Sequence, residues 1–218
     1  MKYKIYLFRH GESTYNRDKK FTGWRDARLT PKGRRQAFTI SKKLKNKKFE
    51  VAIQTSLSRS KETLNYVLKF HPECKKIIVD DRMIERSYGI LEGTSHKSFI
   101  RNIGKKLLKL KDLGDAIENL SPRERRQVEK FFGGEEYEAI HRGYSISVPK
   151  GESFRDVEKR VGKFIEWLKK YMKKNKVNVA ISAHGNSIRL FRKIMEKASR
   201  EETAKWFVPY DRYFEYEV

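Results

Sequence analysis

The hydrophobic and polar positions of this chain change their period repeatedly, and each change marks an element. Residues 2–8, KYKIYLF, alternate and then run apolar, as a strand entering a buried sheet does. In LTPKGRRQAFTISKKL, Ala37, Ile40 and Leu44 recur at helical spacing, with Thr30 placed as N-cap and Pro31 at the first helical position. EVAIQTS reads as a second short strand and KIIVDD as a third. Between them SRSKETLNYVLKF reads as a helix with Leu64, Val67 and Leu68 on one face. GESFRDVEKRVGKFIEWLKKYMKK carries Val157, Val161, Phe164, Ile165, Leu168 and Met172 in one apolar stripe behind a Ser153–Asp156 capping box. VNVAISAH then predicts a fourth strand, NSIRLFRKIMEK a helix, REETAKWF a last helix and RYFEYEV a terminal strand.

Residues 97–135 break this rhythm. They are mostly helical in pattern, highly charged, and interrupted at LGD, SPRE and FFGG. They predict a helical insertion over the sheet, serving either as a lid or as a surface elaboration. The remaining alternation of strands and helices predicts an α/β fold: a three-layer α/β/α sandwich with a mostly parallel sheet, in one catalytic domain spanning 1–218. In such sheets ligands bind beyond the carboxyl ends of the strands. His10 and His184 each end a strand, and each is followed by glycine.

Composition narrows the function classes. A chain of 218 residues with 38% hydrophobic and 12% aromatic residues can bury a core and is not a disordered segment. The one cysteine, Cys74, excludes an intramolecular disulfide and offers no CxxC metal site. No apolar run approaches the roughly 18 residues of a spanning helix, and none reads as a signal peptide. A cytoplasmic protein with no membrane partner is expected. The net charge of +23 changes the picture less than its size suggests. The lysines are dispersed through SKKLKNKK, GKKLLKLK and LKKYMKKNK, on expected helix faces and ends, without a nucleic-acid-binding motif. They read as a lysine-rich surface, and nucleic acid is not an expected partner.

The candidate chemistry lies where the first strand stops, in YLFRHGESTYN. A neutral imidazole such as His10 can attack phosphorus and carry a phosphoryl group. The charge spread over the transferring oxygens calls for fixed cations, and the arginine fork suits phosphate. Arg9 adjoins His10, Arg59 opens the second helix, and His184 supplies a second imidazole. A leaving oxygen needs a proton donor, and Glu85 follows the third strand beside Arg86.

In that order and context, Arg9-His10-Gly11, Thr55-Ser56-Leu57-Ser58-Arg59 and His184 resemble the motifs of the histidine phosphatase, or phosphoglycerate mutase, superfamily. Threonine stands at 55, where serine is usual. The surrounding pattern is most similar to the 2,3-bisphosphoglycerate-dependent phosphoglycerate mutases: RHGES with Tyr15-Asn16, FTGWRDARLTPKG, ERSYGILEG with Ser87 for histidine, and AHGNSIR. The resemblance implies that His10 is the phosphorylated nucleophile. Arg9, Arg59 and His184 would hold the phosphoryl oxygens, and Glu85 would be the general acid and base. Ser13, Asn16, Thr22, Gly23, Arg86, Tyr88, Gly185 and Asn186 would line the substrate site. It further implies 2,3-bisphosphoglycerate as priming donor, no metal, and a small anionic substrate, with 3-phosphoglycerate and 2-phosphoglycerate interconverted. A homo-oligomer is compatible with it. The alternative is a phosphatase hydrolysing small phosphomonoesters; a polyanion binder would have no use for the catalytic set.

The pattern departs from the mutases at the substrate carboxylate. Their adjacent arginine pair corresponds to His141 and Arg142, and a mutase lysine falls on His96, with Lys97 one step away. The chain also ends at Val218, without the C-terminal extension that in the family helps close the site against water.

Overall fold

The computed structural model describes residues 2–110 and 120–218. In chain order the elements are β1 (Lys4–Arg9), α1 (Thr14–Arg17), α2 (Pro31–Leu44), β2 (Val51–Gln54), α3 (Ser58–Leu68), β3 (Lys76–Val79), α4 (His96–Leu110) and α5 (Pro122–Arg142). Then follow α6 (Phe154–Asn175), β4 (Val179–Ala183), α7 (Gly185–Glu196), α8 (Arg200–Lys205) and β5 (Tyr213–Glu217). The five strands form one sheet in the order β3-β2-β4-β1-β5. All neighbours are parallel except β5, which runs antiparallel to β1.

The apolar run of β1 is continuous because both its faces are covered. Ile5 and Leu7 pack with Ile53, Val179, Ile181 and the apolar stripes of α6 and α7. Tyr6 and Phe8 point the other way, onto Ile40 and Leu44 of α2 and Leu64 and Val67 of α3. The α/β/α sandwich expected from the sequence is therefore present, with the core split by the sheet. All six expected stripe residues of α6 are buried, and Ser153 and Asp156 form the capping box. Burying each such side chain stabilises the fold by roughly 1.5–3 kcal/mol. Thr30 caps α2 by accepting from the backbone N–H of Gly33, behind Pro31.

The register sets up the site. Arg9 lies opposite Ala183, and Ile53 opposite Ile181, so β1, β4 and β2 end side by side. His10, His184 and Thr55 leave the sheet together at its carboxyl edge.

Two expectations need correction. The expected break at FFGG is absent, and α5 runs through it. Gly133 instead marks the crossing of α4 and α5: a Cβ there would stand 1.9 Å from the carbonyl oxygen of Ile100. Gly104 repeats the arrangement, with the carbonyl oxygen of Glu129 at 1.9 Å. Both glycines serve close helix packing, not helix termination. The helical pair also exceeds the expected limits, beginning at His96 and ending at Arg142, and this places its feet at the site. The SPRE break is real: Ser121 and Glu124 cap α5, with Pro122 at its first position. The LGD break lies outside the described residues. Among the described residues no helix is long and apolar enough to cross a membrane.

The two adjacent glycines make a controlled test. Ordinarily Gly→Ala inside a helix gains about 0.5–1 kcal/mol. Gly134→Ala, with nothing within 4 Å of the new methyl group, should show that gain. Gly133→Ala should instead lose about 1–3 kcal/mol, because the obstacle is backbone. Denaturant midpoints of the two variants check this; midpoints shifting the same way would refute the crossing.

Candidate active site

His10 follows β1, and its backbone N–H donates to the carbonyl of Ala183 at 3.0 Å. Gly11 lets the chain turn against α2, since a Cβ there would lie 2.1 Å from the carbonyl oxygen of Gly33. The Nδ1 of His10 lies 2.7 Å from the carbonyl oxygen of Gly11. A carbonyl only accepts, so Nδ1 carries the proton and Nε2 keeps its lone pair. Burial, then the charges of Arg59 and Arg9, hold the His10 pKa well below its ordinary value. The imidazole is neutral at physiological pH.

His184 closes β4 and starts α7. Its ring lies 4.9 Å from that of His10, centroid to centroid, and its Nε2 is 2.8 Å from the hydroxyl of Thr55. Burial, then Arg59 and His10, hold it well below its ordinary pKa as well. Arg59 is buried at the start of α3. It donates from Nη1 to the carbonyl of Arg25 at 2.9 Å and from Nη2 to that of Gly23 at 2.7 Å. Burial pulls its pKa down to about 10, so it stays charged at neutral pH. Asp26 ties this loop to α3 by accepting from the backbone N–H and the hydroxyl of Ser58. Arg9 donates from Nη1 to the carbonyl of Val208 at 2.8 Å and lies 4.0 Å from the centroid of the Tyr210 ring. Among the described residues the Nε atoms of Arg9 and Arg59 are buried without a hydrogen-bond partner.

Glu85 is held from two sides. Its Oε1 accepts from the backbone N–H groups of Arg86 at 2.8 Å and Asn186 at 3.1 Å. A Cβ on Gly185 would come within 3.5 Å of Arg9 Nη2 and 3.6 Å of Glu85 Oε2. Glycine at 185 keeps the space between acid and guanidinium open.

These groups border a cavity of about 210 Å³. Arg9, His10, Arg59 and Glu85 line it, as do Asn16, Thr22, Gly23, Tyr88, His96, His141, Gly185 and Asn186 from the expected substrate set. His184 is fully buried and is not among the lining residues. Three expected contacts do not reach the cavity. Ser13 is fully buried, capping α1 and bonding Asn16. Arg86 is enclosed by the carbonyls of Glu152, Ile140 and Ile146, at 2.6, 2.8 and 2.8 Å, and organises the loops under the site. Arg142 donates to the carbonyl of Ala204 at 2.9 Å.

His141 and His96 bring the feet of α5 and α4 into one wall. His141 is stacked between Tyr88 and Tyr137, with centroids 5.7 and 5.0 Å away. Burial, then His96 and the neighbouring arginines, hold its pKa at about 3, so it is neutral. His96 is also lowered, by burial and by Lys19.

Sequence reasoning missed five lining residues: Lys19, Lys20, Phe21, Arg189 and Tyr210. Arg189 was within reach, because it follows Asn186 by three positions on α7 and so shares its face. Tyr210 carried no signal. It belongs to the segment joining α8 to β5; the carbonyls of Ala204 in α8 and of Trp206 and Val208 in that segment accept from Arg142, Arg189 and Arg9. Through Tyr210 this segment forms part of the cavity wall.

Comparison with known proteins identifies the family of the chain and its shared fold. The sequence model of the histidine phosphatase superfamily (branch 1) matches residues 5–115 and 117–212. The 2,3-bisphosphoglycerate-dependent phosphoglycerate mutase of Bartonella bacilliformis is 33% identical over 207 residues, covering 93% of this chain and 85% of that protein. The protein of that name from Buchnera aphidicola is 32% identical over 214 residues, covering 94% and 89%. Among solved structures, phosphoglycerate mutase from Bacillus anthracis superposes with a TM-score of 0.64 at 21% identity, covering 90% of this chain and 81% of that one. The alpha-ribazole phosphatase from Shigella flexneri gives 0.65 at 21% identity, covering 92% and 83%. A mycobacterial glucosyl-3-phosphoglycerate phosphatase gives 0.67 at 19%, covering 94% and 86%. At these identities the solved structures establish the shared fold alone.

The neutral histidines give the protein an acid limit. A histidine with a depressed native pKa is protonated first in the unfolded chain, so its contribution is full above about pH 6.5 and is lost as pH falls. For His141 that window runs from about 6.5 down to the native value of about 3. Stability should decline through it, and His141→Phe, which keeps a ring in the stack, should flatten the decline by up to about 1.4 kcal/mol per pH unit. Denaturant midpoints between pH 7 and 4 measure this, and equal slopes would count against a neutral native His141.

Proposed function

This chain belongs to the histidine phosphatase superfamily, and from that premise we propose that it transfers phosphoryl groups through His10 and interconverts 3-phosphoglycerate and 2-phosphoglycerate. The observation that carries this reading is the charge of the cavity. Five cations, Arg9, Arg59, Arg189, Lys19 and Lys20, face one carboxylate, Glu85. A phosphomonoester brings about two negative charges at neutral pH, so this surplus suits a ligand with a second anionic group. The volume of about 210 Å³ suits a small one, lying below the roughly 300–1,000 Å³ of drug-sized pockets. The names of the curated relatives support the same reading.

In the proposed reaction the lone pair on His10 Nε2 attacks phosphorus as the bond to the leaving oxygen breaks. Glu85 gives that oxygen its proton. Arg9, Arg59 and His184 meet the charge on the transferring oxygens without having to reorganise. In the return step an acceptor hydroxyl gives its proton to Glu85 and attacks phosphorus, releasing His10. The neutral state of His10 suits both steps, since a protonated ring has no lone pair at Nε2. The unpartnered Nε atoms of Arg9 and Arg59 suit oxyanion ligands. The same cations fit 2,3-bisphosphoglycerate, which when bound supplies the phosphoryl group that loads His10. Arg9 and Arg59 would hold its reacting phosphate and the remaining cations its other charges.

A second reading, hydrolysis of small phosphomonoesters, draws on one observation. The mutase arginine pair is reduced here to a neutral His141 and an Arg142 turned to Ala204, which weakens recognition of a carboxylate at that position. Incubation with 3-phosphoglycerate and a trace of 2,3-bisphosphoglycerate decides between the two. We expect 2-phosphoglycerate to accumulate, whereas release of inorganic phosphate alone, unstimulated by the bisphosphate, would select hydrolysis. His10→Ala should take up no label from the bisphosphate; retained labelling would displace His10 as nucleophile. Glu85→Gln should lower kcat by about 100- to 10,000-fold with little effect on binding, and a loss of binding in its place would make Glu85 an organiser of the loop.

A further inference from the structure

We propose that Lys19 is the cation that recognises the second anionic group of the substrate. The inference rests on the reading of that substrate as a small phosphorylated acid. The resemblance assigns this task to positions held here by His96, His141 and Arg142, and none of them presents a positive charge to the cavity. His141 is neutral and stacked between two tyrosines, His96 is lowered by burial, and Arg142 is directed to the carbonyl of Ala204.

The other cavity cations are engaged. Arg9 and Arg59 act on His10 itself. Arg189 donates from Nε to the carbonyl of Trp206 at 2.8 Å and from Nη1 to Asn186 Oδ1 at 2.7 Å. The Lys20 ammonium lies 5.4 Å from the centroid of the Tyr15 ring. Among the described residues Lys19 has no acidic partner. It lines the cavity beside His96, whose pKa its charge helps to depress.

The backbone fixes this position. Helix α1 ends with Lys19 in the left-handed region at φ 49°, its N–H on the carbonyl of Asn16 and the N–H of Lys20 on that of Tyr15. Lys176 and Lys197 end helices in the same conformation, so the dihedral angle alone signifies nothing. What sets Lys19 apart is where this turn is anchored. Its carbonyl accepts from the N–H of His96 at 2.9 Å, and Lys20 pairs with Ser95. Residue 19 is thereby pinned to the foot of α4, at the wall where a mutase lysine was expected. An ammonium is a point charge without the arginine fork, so it would accept a carboxylate or a second phosphate alike.

The test compares 3-phosphoglycerate with glycerol 3-phosphate, which has a hydroxymethyl group in place of the carboxylate. Dissociation constants are measured by calorimetry for the unsubstituted protein, Lys19→Met and Lys19→Arg. The expected result is a fall of about 10- to 100-fold in preference for the acid in Lys19→Met, largely restored in Lys19→Arg. Equal weakening of both ligands, no change in either, or an unsubstituted protein that binds both alike would overturn the proposal. The product assay fails separately: hydrolysis without mutase activity, with the Lys19 preference intact, would retain the acid subsite and discard only the mutase chemistry.

Discussion

The site depends on how its buried arginines are satisfied. Arg59 meets the carbonyls of Gly23 and Arg25, Arg86 those of Ile140, Ile146 and Glu152, Arg189 that of Trp206 and Arg9 that of Val208. A carboxylate partner would satisfy these donors but cancel their charge. Carbonyl dipoles satisfy them and leave the charge available. That retained field, with burial, keeps His10 and His184 neutral. The same physical choice makes the cavity attractive to oxyanions and leaves His10 with a lone pair at Nε2.

The arrangement also explains why the loops around the sheet are so closely tied. A carbonyl can solvate a buried guanidinium only if its peptide is fixed in direction. Glu92 fixes one such loop, with its Oε1 accepting from the backbone of Trp24 and Tyr88 and from the hydroxyl of Ser87. It also fills the place a Cβ on Gly23 would take, at 1.9 Å, in a residue with φ 53°. The loop carrying Thr22 and Gly23 and the loop carrying Glu85 and Tyr88 are thus joined at one carboxylate. Cationic chemistry on one side of the cavity and turn geometry on the other are parts of one construction.

Much of this was legible in the sequence, for identifiable reasons. β1, β4 and the α6 stripe were readable because their burial is regular and periodicity records burial. His10 and His184 were readable because strand ends and glycines marked them. Helix α1 was too short to show a period. FFGG was misread because a glycine that ends a helix and one that admits a neighbouring helix are the same letter. Arg86, Arg142 and Arg189 show the deeper limit. All three lie in or beside motifs, yet only Arg189 lines the cavity, and that follows from which carbonyls the folded chain brings within reach. Lys19 and Lys20 lie outside the motifs, and it is the pairing of Lys20 with Ser95 that brings them to the site.

Of the carbonyls at Ala204, Trp206 and Val208, the last joins parts of the chain that are far apart in sequence. Arg9 and its acceptor, Val208, are 199 residues apart in the chain. Strand β1 likewise relies on β5 to cover its free edge. Anchoring of Arg9 thus depends on a contact that only the segment ahead of β5 supplies.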